Sequence, residues 1–314
     1  MAEDTVPAYV KLLVSGRFDE RLKSAYSRMR SCDLCPRRCG VNRLHSNRGA
    51  WCRTGSRAEV ASFGAHFGEE QPLVGQQGSG TIFFGHCNLG CVFCQNWDIS
   101  QPREPMRPVS ATTLAAMMLS LQRQGCHNIN LVSPSHVVAP ILAAVRLAAR
   151  RGLRLPLVYN SGGYDCPHTL AILDGIVDIY MPDMKFADSG IAAPLLGVPD
   201  YAEVNRATVR IMQQQVGDLR IDHRGIAYRG LLVRHLILPE NLAGTERIVA
   251  FLSEQVSRDT YINLMNQYHP CHRAAVYPPL DRRPTLQEVH KAHNWAKKSG
   301  LWRFDTADEK LTPG

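Results

Sequence analysis

The stretch Gly85-His86-Cys87-Asn88-Leu89-Gly90-Cys91-Val92-Phe93-Cys94-Gln95-Asn96 decides how the rest of the chain is read. It places three cysteines at Cys87-x3-Cys91-x2-Cys94, directly after the apolar run Thr81-Ile82-Phe83-Phe84. A short β-rich run ending in such a loop reads as a strand that delivers ligands at its end. Three thiolates on one loop can hold three irons of a cubic [4Fe–4S] cluster. The fourth iron is then left to a distant or exchangeable ligand, because all-protein cluster sites use four cysteines. The alternatives are a partial zinc knuckle or three core cysteines, since free cysteine is common in interiors. Gly90, between the first two thiols, marks a point where the loop tolerates little bulk.

A second constellation lies upstream at Cys32-x2-Cys35-x3-Cys39-x12-Cys52, ending in Arg48-Gly49-Ala50-Trp51-Cys52. Four thiols so close together, with Pro36 and several glycines, suit a compact loop folded round a second metal. Four thiolates close the coordination sphere, which fits structural zinc or an auxiliary iron–sulfur cluster; spacing does not choose between them. Cys126, Cys166 and Cys271 stand alone and read as buried thiols, with a catalytic cysteine as the rival reading.

The chain has 314 residues, 45% of them apolar, enough to bury a large core. Its ten cysteines, with no signal-like segment and no apolar run of membrane-span length, lead to a reducing, cytoplasmic setting. The net charge is +8, and residues 1–60 carry twelve basic against six acidic residues. Arg37, Arg38, Arg43, Arg48 and Arg53 there are expected to offset metal-bound thiolates. An RNA-binding patch is the rival reading, but no RNA-binding motif accompanies the charge, so no nucleic-acid partner is expected.

Residues 7–30 have helical spacing, broken at Ser15-Gly16, and residues 60–80 read as an irregular, Gly-rich bridge carrying Glu69 and Glu70. From there strands and helices alternate. Strands are expected at 81–85, 128–133, 155–160, 176–181, 231–238 and 260–266. Helices are expected at 110–124, 137–151, 167–173, 199–215 and 243–256, with the last opening on the capping box Thr285-Leu286-Gln287-Glu288 and a small hairpin at 219–229. Six strand–helix units imply parallel strands with right-handed crossovers. The expected fold is therefore α/β, a partial (β/α)6 barrel with an N-terminal helical, Cys-rich extension. The limits are 1–60 for the extension, 61–80 for a linker and 81–314 for the core.

In such folds chemistry gathers at the C-terminal strand ends. Ser133, Ser135, His136, Asn160, Asp183, Lys185, Asn266 and His269 fall at or just past those ends. Val177, Ile179, Met181, Asp183 and Lys185 share one parity, so the apolar three should line the barrel and the charged two should emerge at its rim. Residues 270–284, rich in proline and arginine, are long enough for a lid.

With these residues assembled, the chain resembles the pyruvate formate-lyase activating enzyme-like branch of the radical S-adenosylmethionine (SAM) superfamily. The likeness rests on Cys-Asp-Leu-Cys-Pro-Arg-Arg-Cys-Gly-Val-Asn-Arg from Cys32, His-Phe-Gly-Glu-Glu from His66, Gly-Ser-Gly-Thr-Ile-Phe-Phe from Gly78 and Cys-Val-Phe-Cys-Gln-Asn-Trp-Asp-Ile-Ser from Cys91. Tyr-Asn-Ser-Gly-Gly-Tyr-Asp from Tyr159, Met-Pro-Asp-Met-Lys from Met181 and Met-Asn-Gln-Tyr-His-Pro from Met265 complete it. The resemblance implies that Cys87, Cys91 and Cys94 hold the [4Fe–4S] cluster and that SAM binds its open iron. Reductive cleavage of SAM would then give a 5′-deoxyadenosyl radical for hydrogen abstraction. It also implies an electron donor such as flavodoxin or ferredoxin, and a glycyl radical protein as the first candidate partner. Radical modification of a small molecule, a peptide or RNA is the alternative, and an iron–sulfur electron carrier or scaffold is the non-enzyme one. Ser133, Ser135, His136, Asn160, Asp183 and Lys185 become the SAM-contact candidates. Where that group carries a Gly-Gly-Glu segment, this chain has Val132-Ser133-Pro134-Ser135-His136.

Overall fold

The computed structural model describes residues 6–102, 104 and 106–305, so the outer limits of the expected extension and core, Met1 and Gly314, lie outside the described residues. In chain order the elements begin with helices α1 (Ala8–Val14) and α2 (Arg17–Arg28), then β1 (Ala58–His66), α3 (Gln71–Val74), β2 (Ser79–Phe84), α4 (Trp97–Ser100) and β3 (Pro108–Val109). Next come α5 (Ala111–Arg123), β4 (Ile129–Val132), α6 (Val138–Arg150), β5 (Leu157–Ser161), α7 (Pro167–Leu173), β6 (Ile179–Pro182), α8 (Ser189–Leu196) and α9 (Tyr201–Val216). The chain ends with β7 (Arg220–Ile221), β8 (Ala227–Leu236), α10 (Thr245–Gln255), β9 (Tyr261–Met265), α11 (Leu286–Lys298) and β10 (Arg303–Phe304).

All strands belong to one sheet ordered β10-β9-β8-β6-β5-β4-β2-β1-β3, with β7 on β8. From β2 to β10 the neighbours along this order run parallel, whereas β1 is antiparallel to β2 and β3 to β1. The expected strand–helix alternation is present, and Ser110 and Thr285 cap α5 and α11 through their side chains as read. Several elements differ from expectation, β1 and α8 among them. Residues 58–66, read mostly as irregular bridge, form β1; its burial fades along the strand, so it lacks the continuous apolar run of a covered parallel strand. α8 was not anticipated either, because Gly190 and Pro194 obscure its periodicity.

The helices and the outer sheet face share the main core, which includes Leu142, Tyr159, Tyr180, Val233 and Ile262. The opposite face closes on a second cluster of Val158, Ile179, Met181, Leu232 and Tyr261 round Leu73 of α3. Ile179 and Met181 thus point inward as parity predicts; Val177 lies before β6 and joins the outer core instead. The β1–β2 connector also spans the sheet. Asn263 of β9 donates to Glu70 at 2.9 Å, and Gln71 N–H donates to Asp305 at 3.2 Å. The connector therefore ties the β1–β2 end of the sheet to the β9–β10 end across a curled inner face.

α1 docks at the far end of the strands. Buried Asp178 accepts the Ala8 N–H at 2.7 Å and the Leu157 N–H at 2.9 Å, and the Tyr9 hydroxyl donates to Leu155 O at 2.9 Å. Burial pushes the Asp178 carboxyl up to about 7 against the pull of those two N–H groups. A carboxyl raised in the fold favours folding below its unfolded pKa, and that advantage is lost as pH rises through the folded one. Between about pH 4 and about pH 7, wild type should lose about 2–4 kcal/mol relative to Asp178→Asn. Urea unfolding of both proteins across that window checks this; parallel stability curves would contradict it.

Candidate active site

The cysteine loop leaves β2 and is fixed from several sides. Gly85 N–H donates to Glu59 O of β1 at 2.8 Å, and His86, at φ +67°, sets its Nε2 3.0 Å from Glu59 Oε2. The N–H groups of Gly90 and Val92 donate to Leu196 O and Leu195 O at the end of α8, both at 2.9 Å. Asn88 Nδ2 donates to Tyr164 O at 2.6 Å. Phe93, the aromatic before the last thiol, meets Phe186 and Tyr268 edge-on at 5.9 and 6.3 Å. Residues 270–284, read as a lid, pack here: Arg273 N–H donates to Val92 O, and Ala274 and Leu280 share the buried cluster of Val92 and Phe93.

Cys87, Cys91 and Cys94 open into a cavity of about 290 Å³ that Ser133, Asn160, Asp183 and Lys185 also line, together with Glu69, Arg234 and Gln267. Ser133 reaches the Cys87 thiol, and its N–H donates to Asn160 O at 2.9 Å. Lys185 Nζ stands 2.5 Å from Asp183 Oδ2. Burial alone would lower the lysine, but the Asp183 carboxylate outweighs it and holds the ammonium well above its ordinary range. Arg234 faces Asp183 at 3.7 Å, Glu70 at 3.4 Å and Glu69 at 3.6 Å. Asp183 Oδ1 and Arg234 Nε are buried there and face each other at 3.7 Å, held by ion pairing without a hydrogen bond of their own. The cavity thus concentrates charged side chains that hydrogen bonds within the chain do not fully satisfy.

The strand ends are held from behind. Tyr201 of α9 lies within hydrogen-bond distance of Gly162 O at 2.9 Å and Asp183 O at 3.1 Å, and accepts the Lys185 N–H at 3.0 Å. Asn205 donates to Gly163 O and Asp183 O, both at 2.9 Å. Of the six SAM-contact candidates, Ser135 and His136 do not line the cavity. Ser133 turns the chain at φ +59°, and both following polar residues are buried behind the strand ends. Ser135 bonds to Asp165, which also accepts the Tyr159 hydroxyl at 2.8 Å and the Ser161 hydroxyl at 2.7 Å. His136 Nε2 donates to Gly85 O at 3.0 Å; burial and Arg43 hold its pKa down at about 3, so it is neutral. Arg234 was not foreseen, although it shares parity with Leu232 and Leu236 and is a lone cation on an inward face. Met265 and Gln267, rather than Asn266 or His269, line this end of the site.

Burial raises the Cys87 thiol to about 11 and Cys91 higher still. In the metal-free chain both are protonated, and iron would have to displace those protons. The N-terminal set has three buried thiols, Cys32, Cys35 and Cys52, with Cys39 half-buried. Among the described residues no three His, Cys, Asp or Glu side chains are grouped round a single metal ion. In a four-iron cluster each thiolate takes its own iron, so the donor chemistry of Cys87, Cys91 and Cys94 suits the cluster without that grouping. The N-terminal set offers four soft donors but no ready-made single-ion sphere. Arg43, nearly fully buried, supports thiolate chemistry there: Nη1 donates to Cys32 Sγ at 3.5 Å and Nε to Thr54 O at 2.7 Å. Arg37 and Arg53 likewise donate to carbonyls of this chain, and Arg38 lies against Cys166. Four of the five arginines are thus engaged internally.

No family model matches the chain. It is 31% identical over 293 residues to the uncharacterized protein MJ0674 of Methanocaldococcus jannaschii, covering 90% of this chain and 79% of that protein. The chain belongs to that protein's family. Among solved structures, TYW1 with a lysine-pyruvate adduct bound superposes with a TM-score of 0.45 and 12% identity, over 69% of this chain and 73% of that one. Streptococcus suis SuiB bound to precursor peptide SuiA gives 0.46 and 12%, over 70% and 46%. Likeness at that level says nothing about what the chain does. No helix among the described residues is long and apolar enough to cross a membrane.

Proposed function

We propose that the chain is a radical SAM enzyme built on a partial (β/α)6 barrel, with the N-terminal cysteine-rich segment as a metal-binding extension. One observation carries the reading: Cys87, Cys91 and Cys94 open into the same cavity as the half-buried, charged strand-end residues Asp183 and Lys185. A carrier needs no such chamber; a reaction that must exclude water does. In this reading Cys87, Cys91 and Cys94 hold a [4Fe–4S] cluster, and the cavity receives SAM. Bound there, the two cofactors supply reductive cleavage to methionine and a 5′-deoxyadenosyl radical.

The protein's own work is positional. Lys185 and Arg234 offer cations to a carboxylate, Asp183 and Glu69 offer acceptors to an ammonium, and Asn160 and Ser133 offer neutral partners. Phe93, Phe186 and Tyr268 keep water from the cysteine loop. The electron would come from a flavodoxin- or ferredoxin-like donor, and Cys32, Cys35, Cys39 and Cys52 would hold zinc or an auxiliary cluster. Hydrogen abstraction from a glycyl radical protein is the first candidate reaction, ahead of a small molecule or peptide. Radical modification of RNA stays among the alternatives.

The reading is tested on anaerobically reconstituted, reduced protein. Adding SAM should change the EPR spectrum of the cluster, as expected when a ligand enters at an open iron. A spectrum indifferent to saturating SAM would remove the assignment and leave the carrier.

A further inference from the structure

The two cysteine sets are not independent in the fold. Arg37 lies between Cys35 and Cys39, yet its side chain reaches out of that loop to the other one. Nε donates to Asn88 O, beside Cys87, at 2.9 Å, and Nη1 donates to Gly197 O, just past α8, at 2.6 Å. Its guanidinium carbon lies over the Trp51 ring, 3.6 Å from the centroid, and Trp51 precedes Cys52. The same indole faces the cysteine loop: a Cβ added at Gly90 would stand 3.0 Å from Trp51 Cζ2. Gly90 and Val92 in turn hang from Leu196 O and Leu195 O, so Arg37 ties both strings of that attachment together. Its charge acts on Cys35 on one side and on Cys87 and Cys91 on the other.

On the far side the N-terminal loop is anchored to the core, so Arg37 reaches out from a fixed base. Thr169 of α7 donates to Leu34 O at 2.8 Å, and His168 Nε2 bonds Asp33 O at 2.7 Å. Arg43 clamps the loop internally on Cys32, Thr54 and Gly55. Two planar charge-assisted bonds plus stacking are a demand that lysine does not meet.

We propose that Arg37, stacked on Trp51, is a positioning residue that makes the geometry of the Cys87–Cys94 loop depend on the folded state of the Cys32–Cys52 loop. The inference rests on the cluster reading above and adds a role for the N-terminal set. That set, in its folded loop, braces the site.

The test uses the full chain reconstituted with iron and sulfide, and reads the rate at which a chelator strips the iron held by Cys87, Cys91 and Cys94. To isolate that iron, each variant is paired with one in which those three cysteines are alanine. Arg37→Ala should release it about tenfold faster or more, equivalent to losing a charge-assisted hydrogen bond. Arg37→Lys should fall between, Trp51→Ala should resemble Arg37→Ala, and circular dichroism should be unchanged throughout. In a Cys35→Ser background, already loosened, Arg37→Ala should add little, the non-additivity expected of residues acting as one unit. Wild-type release rates in Arg37→Ala, or full additivity with Cys35→Ser, would overturn the proposal. Should Arg37→Ala fail to fold, Arg37→Lys and Trp51→Ala decide it by the same rates. Absence of iron specific to Cys87, Cys91 and Cys94 in wild type would overturn the cluster reading and this proposal with it, a result distinct from iron present but indifferent to Arg37.

Discussion

Asp183→Ala should lower stability by about 2–4 kcal/mol and, under the proposed function, weaken SAM binding about a hundredfold or more. The carboxylate faces two cations, Lys185 at 2.5 Å and Arg234 at 3.7 Å, at a strand end only about a fifth exposed. Arg234 keeps Glu69 and Glu70 when Asp183 is removed, but Lys185 has no other carboxylate among its ion pairs. An ammonium without its counter-ion in a largely desolvated place is the expensive outcome, more so than the loss of the attraction itself. The partial exposure sets the lower end of the range, since water can reach part of the pair. Asp183→Asn retains an acceptor for Lys185 and should lose less stability while still losing most of the SAM affinity. Chemical denaturation and equilibrium binding on the reconstituted protein check both numbers. An alanine variant as stable as wild type would show that the pair carries no structural weight.

Gly163→Ala should cost about 4 kcal/mol or more, a loss seen only where a side chain has nowhere to go. Gly163 sits at φ +69°, and an added Cβ would lie 2.1 Å from Asp183 O and 2.2 Å from Asn205 Nδ2. Asn205 therefore cannot keep its bonds to Gly163 O and Asp183 O, and the two strand ends that carry Asn160 and Asp183 lose a shared clamp. Gly16→Ala is the matched control. It has φ +74° and nothing within 4 Å of the added atom, so it should show only the torsional penalty of about 1–2 kcal/mol. Thermal or urea unfolding separates the two; equal losses would mean that crowding at Gly163 is relieved by a small shift.

The residues that were legible in the sequence are those whose chemistry is local. The capping residues Ser110 and Thr285, and the parity of Ile179, Met181 and Asp183, depend on neighbours a few positions away, and the structure keeps them. What was not legible depends on turns and long-range packing. Ser133 takes a left-handed conformation, and that one torsion puts Ser135 and His136 behind the sheet although they directly follow a strand end. β1 was hidden because an antiparallel strand with one solvated face need not be apolar along its length. Arg234 and Tyr201 gave no local motif; their roles exist only where β8 and α9 meet the end of β6. Arg37 was read as an offset for thiolates in its own loop, whereas its bonds go to the other cysteine loop, a partner about fifty positions away.

The most direct measurement is production of 5′-deoxyadenosine by the anaerobically reconstituted chain given SAM and a strong reductant. It should be run beside a variant in which Cys87, Cys91 and Cys94 are all alanine. The account predicts that wild type forms it and the triple variant forms none, with Asp183→Ala far below wild type. Equal yields from wild type and the triple variant, or none from fully loaded wild type whose EPR spectrum also ignores SAM, would contradict it.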